Sequence, residues 1–290
     1  MTRTIRIKKG ADIRLKGRPS PLVDRAPFAT FFAVQPPNYL GIVPKLEVKE
    51  GVHVKAGSPL FHSKENTEVK FLSPVSGAVS QVLRGEKRRI LAVVVESDGK
   101  NESQAFAPID PEAEDRQTLV SAIAERGFFA LIEQRPFATI ANPSDVPRSI
   151  HVSGFDSAPL AADMEVVLAG REAAFQTGIH TLRKLANGSN VQLGLRAGQS
   201  FYNAIDGIDR YVFDGPHPTG NVGVQIHHTC PINKGEVAWT MHAEDVANLG
   251  ETLTSGAYCA KRTIALGGSE CEEPRHIQTL LGSAISSLVG

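Results

Sequence analysis

Between residues 45 and 95 the chain is divided into short β-branched runs by regularly spaced turn residues. Gly51, Gly57, Gly77 and Gly85 separate runs that are three to six residues long. Strands this short, with turn signals this close together, predict a small closed β-sandwich. The predicted strands are residues 45–48, 52–54, 60–63, 68–72, 79–83 and 90–95.

After residue 111 the hydrophobic period changes to that of helices. Leu119, Ala122 and Ile123 share one face of a predicted helix over residues 112–126, and Gly127 is placed to end it. From residue 149 strands and helices alternate, which favours a Rossmann-like domain with a mainly parallel sheet and helices on both faces. The predicted strands are residues 149–153, 190–195, 210–213, 237–241 and 262–266, and the predicted helices are 171–186, 199–204 and 243–253.

The predicted fold class is therefore mixed α/β, and the chain is long enough for about two domains. A strand at residues 276–281 is followed by what reads as the first turns of a helix at 283–289, with nothing left to cover its apolar face. Four segments are predicted: N-terminal strands and a proline-rich connector (1–40), the sandwich (41–100), the α/β domain (101–274) and the start of a further module (275–290).

Composition excludes several functional classes. Lysine plus arginine and aspartate plus glutamate number 31 each, so no overall field draws the chain to nucleic acid or to an anionic membrane. The longest apolar run, residues 90–95, is too short to span a bilayer, and the N-terminus has no signal-peptide core, so a soluble cytoplasmic chain is expected. Cys230, Cys259 and Cys271 form no CxxC pair, so neither disulfides nor cysteine-held clusters are expected.

Positive charge is concentrated in two places. The first eighteen residues contain seven basic side chains and one acidic one, Asp12, and residues 87–89 are Lys-Arg-Arg. Both clusters are interpreted as solvated strand edges or turns. The alternative is docking to an acidic partner or to phospholipid.

The spacing within the sandwich resembles that of biotinyl and lipoyl carrier domains. Their pattern G-x-x-V-x-x-G-x-x-L, then P-x-x-G-x-V, is matched at residues 51–60 and 74–79. Carriers present a modified lysine on the hairpin between these halves. Here the tip falls near Asn66 and Thr67, and Lys64 is displaced along the strand. The domain is therefore interpreted as a scaffold or docking domain, and the alternative is an acylated Lys64.

The predicted α/β domain has no recognisable phosphate-binding loop. Its first strand is followed by Gly154 and Phe155 rather than by G-x-G-x-x-G, and there is no P-loop. Residues 127–137 are bulky where a phosphate-cradling loop needs small side chains. Binding of flavin or NAD by this chain alone is therefore disfavoured.

The most site-like segment is Phe213-Asp-Gly-Pro-His-Pro-Thr-Gly-Asn-Val-Gly. It follows a predicted strand, so it is expected at the carboxyl edge of the sheet, where such folds bind ligands. Prolines on both sides of His217 suit a rigid binding or docking loop, and the alternative is a structural turn with a hydrogen-bonded histidine. His227, His228 and Cys230 suggest a metal, but on a strand only His228 and Cys230 would share a face, too few for zinc.

Several segments in order resemble the A subunits of Na⁺-translocating NADH:quinone oxidoreductases. They are Ile5-Arg-Ile-Lys-Lys-Gly10, the sandwich, Arg135-Pro-Phe137, Phe213-Asp-Gly-Pro-His-Pro218 with Gly220, and Val237-Ala-Trp239. This family is related to the C subunit of the Rnf complex and to the flavin-bearing subunit of respiratory complex I. The relatives hold flavin phosphate on a glycine-rich loop, whose glycines are missing from the matching residues 127–137.

The resemblance implies a peripheral subunit on the cytoplasmic face of a six-subunit pump in the bacterial inner membrane. Electrons there pass from NADH through flavins and an iron–sulfur centre to ubiquinone while Na⁺ is exported. NADH, the flavins, the iron–sulfur centre and Na⁺ are expected to be handled by other subunits, and this chain is expected to hold no cofactor and to pack against the quinone-reacting membrane subunit. Family chains continue further, so residues 275–290 are expected to begin an SLBB (β-grasp) domain.

Three functional hypotheses follow. The first is a non-catalytic structural or quinone-associated subunit, the second a self-contained flavin or NADH oxidoreductase of the complex I type, and the third a carrier with a modified Lys64. A quinone ring needs an apolar slot with one or two donors. The candidate quinone-binding residues are Asp214, Gly215, His217, Gly220, Phe128, Phe129 and Phe137. No catalytic residue and no metal ligand is predicted.

Overall fold

The strands group into four sheets. The structure, a computed structural model, describes residues 3–289, and Met1, Thr2 and Gly290, at the ends of the first and last predicted segments, lie outside the described residues. The strands are β1 (Arg3–Arg6), β2 (Val23–Arg25), β3 (Phe31–Val34), β4 (Pro44–Leu46), β5 (His53–Val54), β6 (Pro59–Ser63), β7 (Lys70–Leu72), β8 (Gly77–Arg84), β9 (Ile90–Ser97), β10 (Ile132–Arg135), β11 (Thr139–Ile140), β12 (Ser149–Ser153), β13 (Asn190–Arg196), β14 (Asp209–Asp214), β15 (Ala238–His242), β16 (Lys261–Leu266) and β17 (Arg275–Leu280). The α-helices are α1 (Arg116–Glu125), α2 (Met164–Leu168), α3 (Glu172–Ala186), α4 (Val222–Thr229) and α5 (Ala243–Ser255). Of these described helices, none combines the length and the apolar character needed to cross a membrane.

The predicted sandwich is confirmed. A four-stranded sheet in the order β3-β9-β8-β5 faces a three-stranded sheet in the order β4-β6-β7. Leu60, Phe61, Val79 and Val93 are fully buried in its core, and the rings of Phe61 and Phe71 stack with centroids 4.5 Å apart. Alternating inward-facing apolar residues of short strands build this core, as the sequence pattern indicates.

The hairpin between β6 and β7 is fastened to the α/β part. At its tip the Asn66 side-chain amide donates to Oδ1 of Asn142 at 3.1 Å. Lys64 lies before the tip, with an exposed side chain and a backbone N–H that donates to the Val43 carbonyl at 2.7 Å. A hairpin tied at its tip suits a scaffold better than a freely moving carrier arm.

A seven-stranded sheet carries the α/β part. Its order is β1-β14-β13-β12-β15-β10-β11. The strands from β1 to β15 in this order are parallel. At one edge β10 pairs antiparallel with β15, and β11 pairs antiparallel with β10. The sheet is mainly parallel, as predicted. The N-terminal strand β1 forms its other edge beside β14, so the start of the chain is built into this sheet.

Helices α3 and α5 pack together so closely that their backbones touch. Phe175, Ile179 and Leu182 of α3 recur at helical spacing and are fully buried. At the crossing, a Cβ atom on Gly178 would overlap the carbonyl oxygen of Val246, and one on Gly250 would overlap that of Ala174. The glycines therefore set the distance between the two helices.

Two assignments near the C-terminus are wrong. The strand predicted at 262–266 is not in the parallel sheet, because β16 pairs antiparallel with β17 in a separate sheet that β2 completes. Residues 283–289 do not start an α-helix, since they contain only a 3-10 turn, Ile285–Ser287. The partner of β16 could not be read from the alternation, because strand pairing depends on residues far apart in the chain. Membership of residues 275–290 in an SLBB domain stays a prediction.

His151, in the middle of β12, makes the fold sensitive to acid. The residue is 2% exposed, and its Nε2 lies 2.8 Å from Oγ of Ser149. Burial lowers the pKa of His151 from 6.5 to about 4. His151 therefore binds a proton near pH 6.5 in the unfolded chain, but only near pH 4 in the folded chain.

We expect this histidine's contribution to stability to be complete above pH 6.5 and to be lost, by about 3 kcal/mol, as the pH falls to about 4. Urea unfolding of wild type, H151Q and the exposed-site control H228Q, at about pH 7 and about pH 4, measures this loss. H151Q should lose much less stability over this interval than the other two proteins. Equal losses in all three would show that other groups cause the acid sensitivity.

Candidate functional site

The carboxyl ends of β12 and β15 flank the point where the strand order reverses. From β12 the chain passes to β13 and β14 on one side, and it returns to β15 on the other. Connections that leave in opposite directions open a crevice between the two strand ends, where open α/β sheets bind ligands. A cavity of about 530 Å³ lies there, lined by Ser153 at the end of β12 and His242 at the end of β15.

Other parts of the chain complete the cavity walls. They are residues 38–40 between β3 and β4 of the sandwich, the β10–β11 hairpin and the start of α4. Leu131, Ile140 and Phe155 supply apolar surface. Tyr39 adds a phenol, and burial raises its pKa to about 12, so the hydroxyl stays protonated. The volume is within the range of ligand pockets, and the walls are amphipathic.

Carboxylates outnumber cations among the described residues that line the cavity. The lining contains three acidic residues, Glu133, Asp156 and Asp245, and one arginine, Arg135. The Nη2 atom of Arg135 already lies 2.7 Å from the Glu133 carboxylate. Helix α5 begins beside the cavity with Glu244 and Asp245 in its first turn, and these acids offset the positive end of the helix dipole. A phosphate group is poorly accommodated in such a site, whereas a neutral polar ligand is not repelled.

His242 offers a hydrogen-bond donor at the cavity wall. Its Nδ1 accepts from the backbone N–H of Glu244 at 3.3 Å and caps α5, which assigns the proton of the neutral ring to Nε2. The ring is accessible through the cavity, but the protein around that cavity desolvates it and lowers the pKa of His242, against an opposing effect of Asp245. The imidazole is therefore kept neutral.

Asp245 forms an ion pair with Arg262 of β16. Its Oδ1 accepts from the guanidinium at 2.7 Å, and the Glu244 carboxylate lies 3.5 Å from the same group and accepts from the Thr263 backbone N–H at 2.8 Å. The Glu244 and Asp245 side chains are only 1% and 7% exposed. Burial raises the pKa of Glu244 in spite of Arg262. Burial opposes the charge on Arg262, but Asp245 outweighs it and the pKa of Arg262 is raised.

The predicted loop at residues 214–220 lies at the carboxyl edge of the sheet, as expected. Its hydrogen-bonding groups are engaged in contacts with other parts of the chain. Nδ1 of His217 is 3.0 Å from Oγ of Ser157, which also accepts from the Gly220 backbone N–H at 2.8 Å. The His217 backbone N–H donates to Asp12 at 2.9 Å. Gly220 lines the cavity. The other predicted loop residues, Asp214, Gly215 and His217, do not.

The three phenylalanines predicted to bind quinone do not line one slot. Phe128 and Phe129 are fully buried, and their rings pack edge-on against Tyr258 and Trp239 with centroids 6.0 and 5.9 Å apart. Phe137 is 77% exposed at the turn between β10 and β11. The seven candidate residues are thus not brought together in one cavity, and a role for them in quinone binding stays a prediction.

Comparison with known proteins identifies the family. The NqrA N-terminal barrel-sandwich hybrid domain matches residues 5–98, and the NqrA second alpha/beta domain matches residues 114–258. The chain belongs to the NqrA family. The resemblance seen in the sequence is thereby confirmed.

Curated relatives in the NqrA family share about a third of their residues with this chain. Proteins named as A subunits of the Na(+)-translocating NADH-quinone reductase are 33% identical over 288 residues in Saccharophagus degradans, 35% over 288 in Pseudomonas aeruginosa and 33% over 287 in Yersinia pseudotuberculosis. Each alignment covers 98% of this chain and 64% of the relative. The chain therefore spans less than two thirds of the length of these NqrA relatives.

Residues 127–137, which the sequence analysis compared with a flavin-phosphate loop, form a turn and a strand in this NqrA-family chain. Gly127 has a left-handed φ of 73° and follows the end of α1. The next residues form the 3-10 turn Phe128–Leu131, and then β10, which pairs with β15. This backbone is committed to the core and the sheet rather than to a phosphate cradle.

The strand assumed for His227, His228 and Cys230 is wrong. The two histidines lie on α4, exposed, and Cys230 is the residue that ends this helix and accepts from the Arg148 guanidinium at 3.3 Å. The β-branched residues and Gly223 of this segment have low helix propensity, and tertiary packing overrides it. Within residues 3–289 no three metal-ligating side chains converge.

Sequence reasoning missed Ser153, Phe155 and His242. All three lie at or within two residues of the carboxyl ends of strands that were predicted almost correctly, at 149–153 and 237–241. That position was itself a usable signal, since ligands bind at this edge. What the sequence lacked was the strand order that makes β12 and β15 neighbours.

Proposed function

We propose that this chain serves within a Na⁺-translocating NADH:quinone reductase as a peripheral subunit next to the site of quinone reduction, and that it holds no flavin or iron–sulfur centre. Membership of the NqrA family and the names of the relatives support the complex. The observation that carries the assignment is the cavity at the strand-order reversal, which has the size of a ligand site and is lined by three carboxylates and only one arginine.

A quinone ring is the ligand that this cavity suits. It is uncharged, so Asp156 and Asp245 do not repel it, and it can lie against Phe155 and Ile140 while a ring carbonyl accepts from Nε2 of His242. NADH and flavins carry phosphates and are left to other subunits. Exposed Leu40 and Phe137 beside the cavity mouth suit contact, on the cytoplasmic face, with the membrane subunit that reacts with quinone.

The chain's one tryptophan, Trp239, reports on the cavity, because it precedes the cavity-lining Thr240 and Met241 in β15. We expect a water-soluble short-chain ubiquinone to quench Trp239 fluorescence with saturation. H242N keeps an N-cap acceptor, but its shorter amide does not reach the position of the Nε2–H donor, so affinity should fall about tenfold, while the exposed-site control H228Q should match wild type.

Three other outcomes would contradict the proposal in part or in whole. Weaker binding in H217A and F137A, with H242N unaffected, would place quinone on the outer loop residues instead. No saturable quenching would remove the quinone role. Stoichiometric flavin retained after gel filtration, with its visible absorption, would favour the alternative of a self-contained flavin and NADH oxidoreductase.

A further inference from the structure

Residues 8–22, here called the basic segment, carry positive charge that the rest of the described chain does not neutralise. Lys8, Lys9, Arg14, Lys16 and Arg18 are exposed, and within residues 3–289 none of them forms an ion pair. The nearby acidic loop at residues 270–273 makes no ion pair with them either. The segment is therefore a local cationic surface on a chain of zero formal net charge.

Apolar side chains alternate with these cations and also face solvent. Ile13 is 65% exposed, Leu15 is 55% exposed and Leu22 is 68% exposed. The order Ile-Arg-Leu-Lys at residues 13–16 interleaves the two kinds of side chain, and residues 8–22 contain no aromatic residue.

The segment is pinned in this outward position at three points. The Ala11 backbone N–H donates to the His217 carbonyl at 2.9 Å, the Gly17 carbonyl accepts from Gly268 at 3.0 Å, and the Ser20 backbone N–H donates to the Pro274 carbonyl at 2.9 Å. Residues 13–16 bulge between the first two points. Because residues 13–16 are already ordered, binding to a partner would not include the entropic cost of ordering them.

We propose that the basic segment binds the surface of a bilayer that contains anionic phospholipid. Interleaved cations and short aliphatic side chains are the pattern by which a peripheral surface meets lipid phosphates and inserts at the headgroup boundary. Protein interfaces are instead depleted in lysine. Ile13, Arg14, Leu15 and Arg18 line a groove that also contains Asp156 and Asp163, and the lipid contact is made by the exposed surfaces of the segment at the rim of this groove. This inference does not depend on the quinone proposal.

Sedimentation with lipid vesicles tests it. The probes are vesicles of phosphatidylcholine and phosphatidylglycerol in equal parts, and vesicles of phosphatidylcholine alone. We expect wild type to bind the anionic vesicles, R14Q/K16Q/R18Q to bind about 100-fold more weakly, and I13S/L15S about tenfold more weakly. The matched control K87Q/R88Q/R89Q removes the same charge from the exposed turn between β8 and β9, and it should change binding less than about threefold.

Equal losses in both triple variants would overturn the proposal, because binding would then follow net charge alone. The proposal would also be overturned if wild type bound equally well to vesicles with and without phosphatidylglycerol, or if it bound neither. All the substituted side chains are exposed, so thermal unfolding should confirm that each variant is folded. If quinone quenches Trp239 fluorescence in R14Q/K16Q/R18Q as it does in wild type, the two sites are separate.

Discussion

Replacing Gly250 with alanine is expected to lower the free energy of unfolding by about 3 kcal/mol. The added methyl group would overlap the Ala174 carbonyl oxygen and press on the backbone of Gly178, so α3 and α5 would have to move apart. Both helices lie in the core, where Phe175, Leu249 and Leu253 are fully buried. Separation would loosen those contacts, and urea unfolding measures the loss.

Gly223 provides the matched control for Gly250. It also lies within a helix, α4, but a Cβ atom there would meet nothing within 4 Å. G223A should therefore leave stability unchanged or raise it by up to about 1 kcal/mol, because alanine is the better helix former. If G250A and G223A behaved alike, the contact between α3 and α5 would not be set by the glycine.

The variant R262M is expected to lose about 4 kcal/mol of stability at neutral pH, since it leaves Glu244 and Asp245 buried without their cation. The deficit should shrink as the pH falls from about 7 to about 5. Arg262 opposes the rise that burial causes in the pKa of Glu244, so its loss raises that pKa further in the folded protein and protonation of Glu244 relieves the buried charge. Denaturant unfolding of wild type and R262M at both pH values gives the two deficits.

Arg275, on the neighbouring strand β17, tests whether burial causes this effect. It pairs with Asp24 at 2.7 Å, but the aspartate is 57% exposed. R275M should cost no more than about 1 kcal/mol. The double variant R262M/D245N should recover part of the loss seen in R262M. A pH-independent deficit in R262M would mean that lost packing, and not charge, destabilises it.

Features that depend on neighbouring residues were predictable from the sequence. The sandwich strands follow from glycine turns a few residues apart, and α3 and α5 follow from apolar residues at helical spacing. Helix α4 was missed for the same reason, because its valines and Gly223 are locally poor helix formers. Its helical state comes from burying Gln225 and Ile226.

The candidate site could be predicted only in outline. The carboxyl edge of the sheet was a sound expectation, but the cavity joins residues from 38–40, 130–140, 153–156, 220–222 and 240–245. Bringing them together requires the order of the strands and the pairing of β10 with β15, neither of which leaves a local signal. His217 looked functional because prolines flank it, yet those neighbours fix a histidine that bonds Ser157.

The buried residues of the sandwich and of the seven-stranded sheet belong to one continuous apolar cluster, which runs from Phe61 and Val93 to Leu193 and Leu253. Because this interior is shared, cutting the chain between the sandwich and the α/β part would expose apolar side chains of both. The two parts are therefore expected to unfold in one cooperative transition.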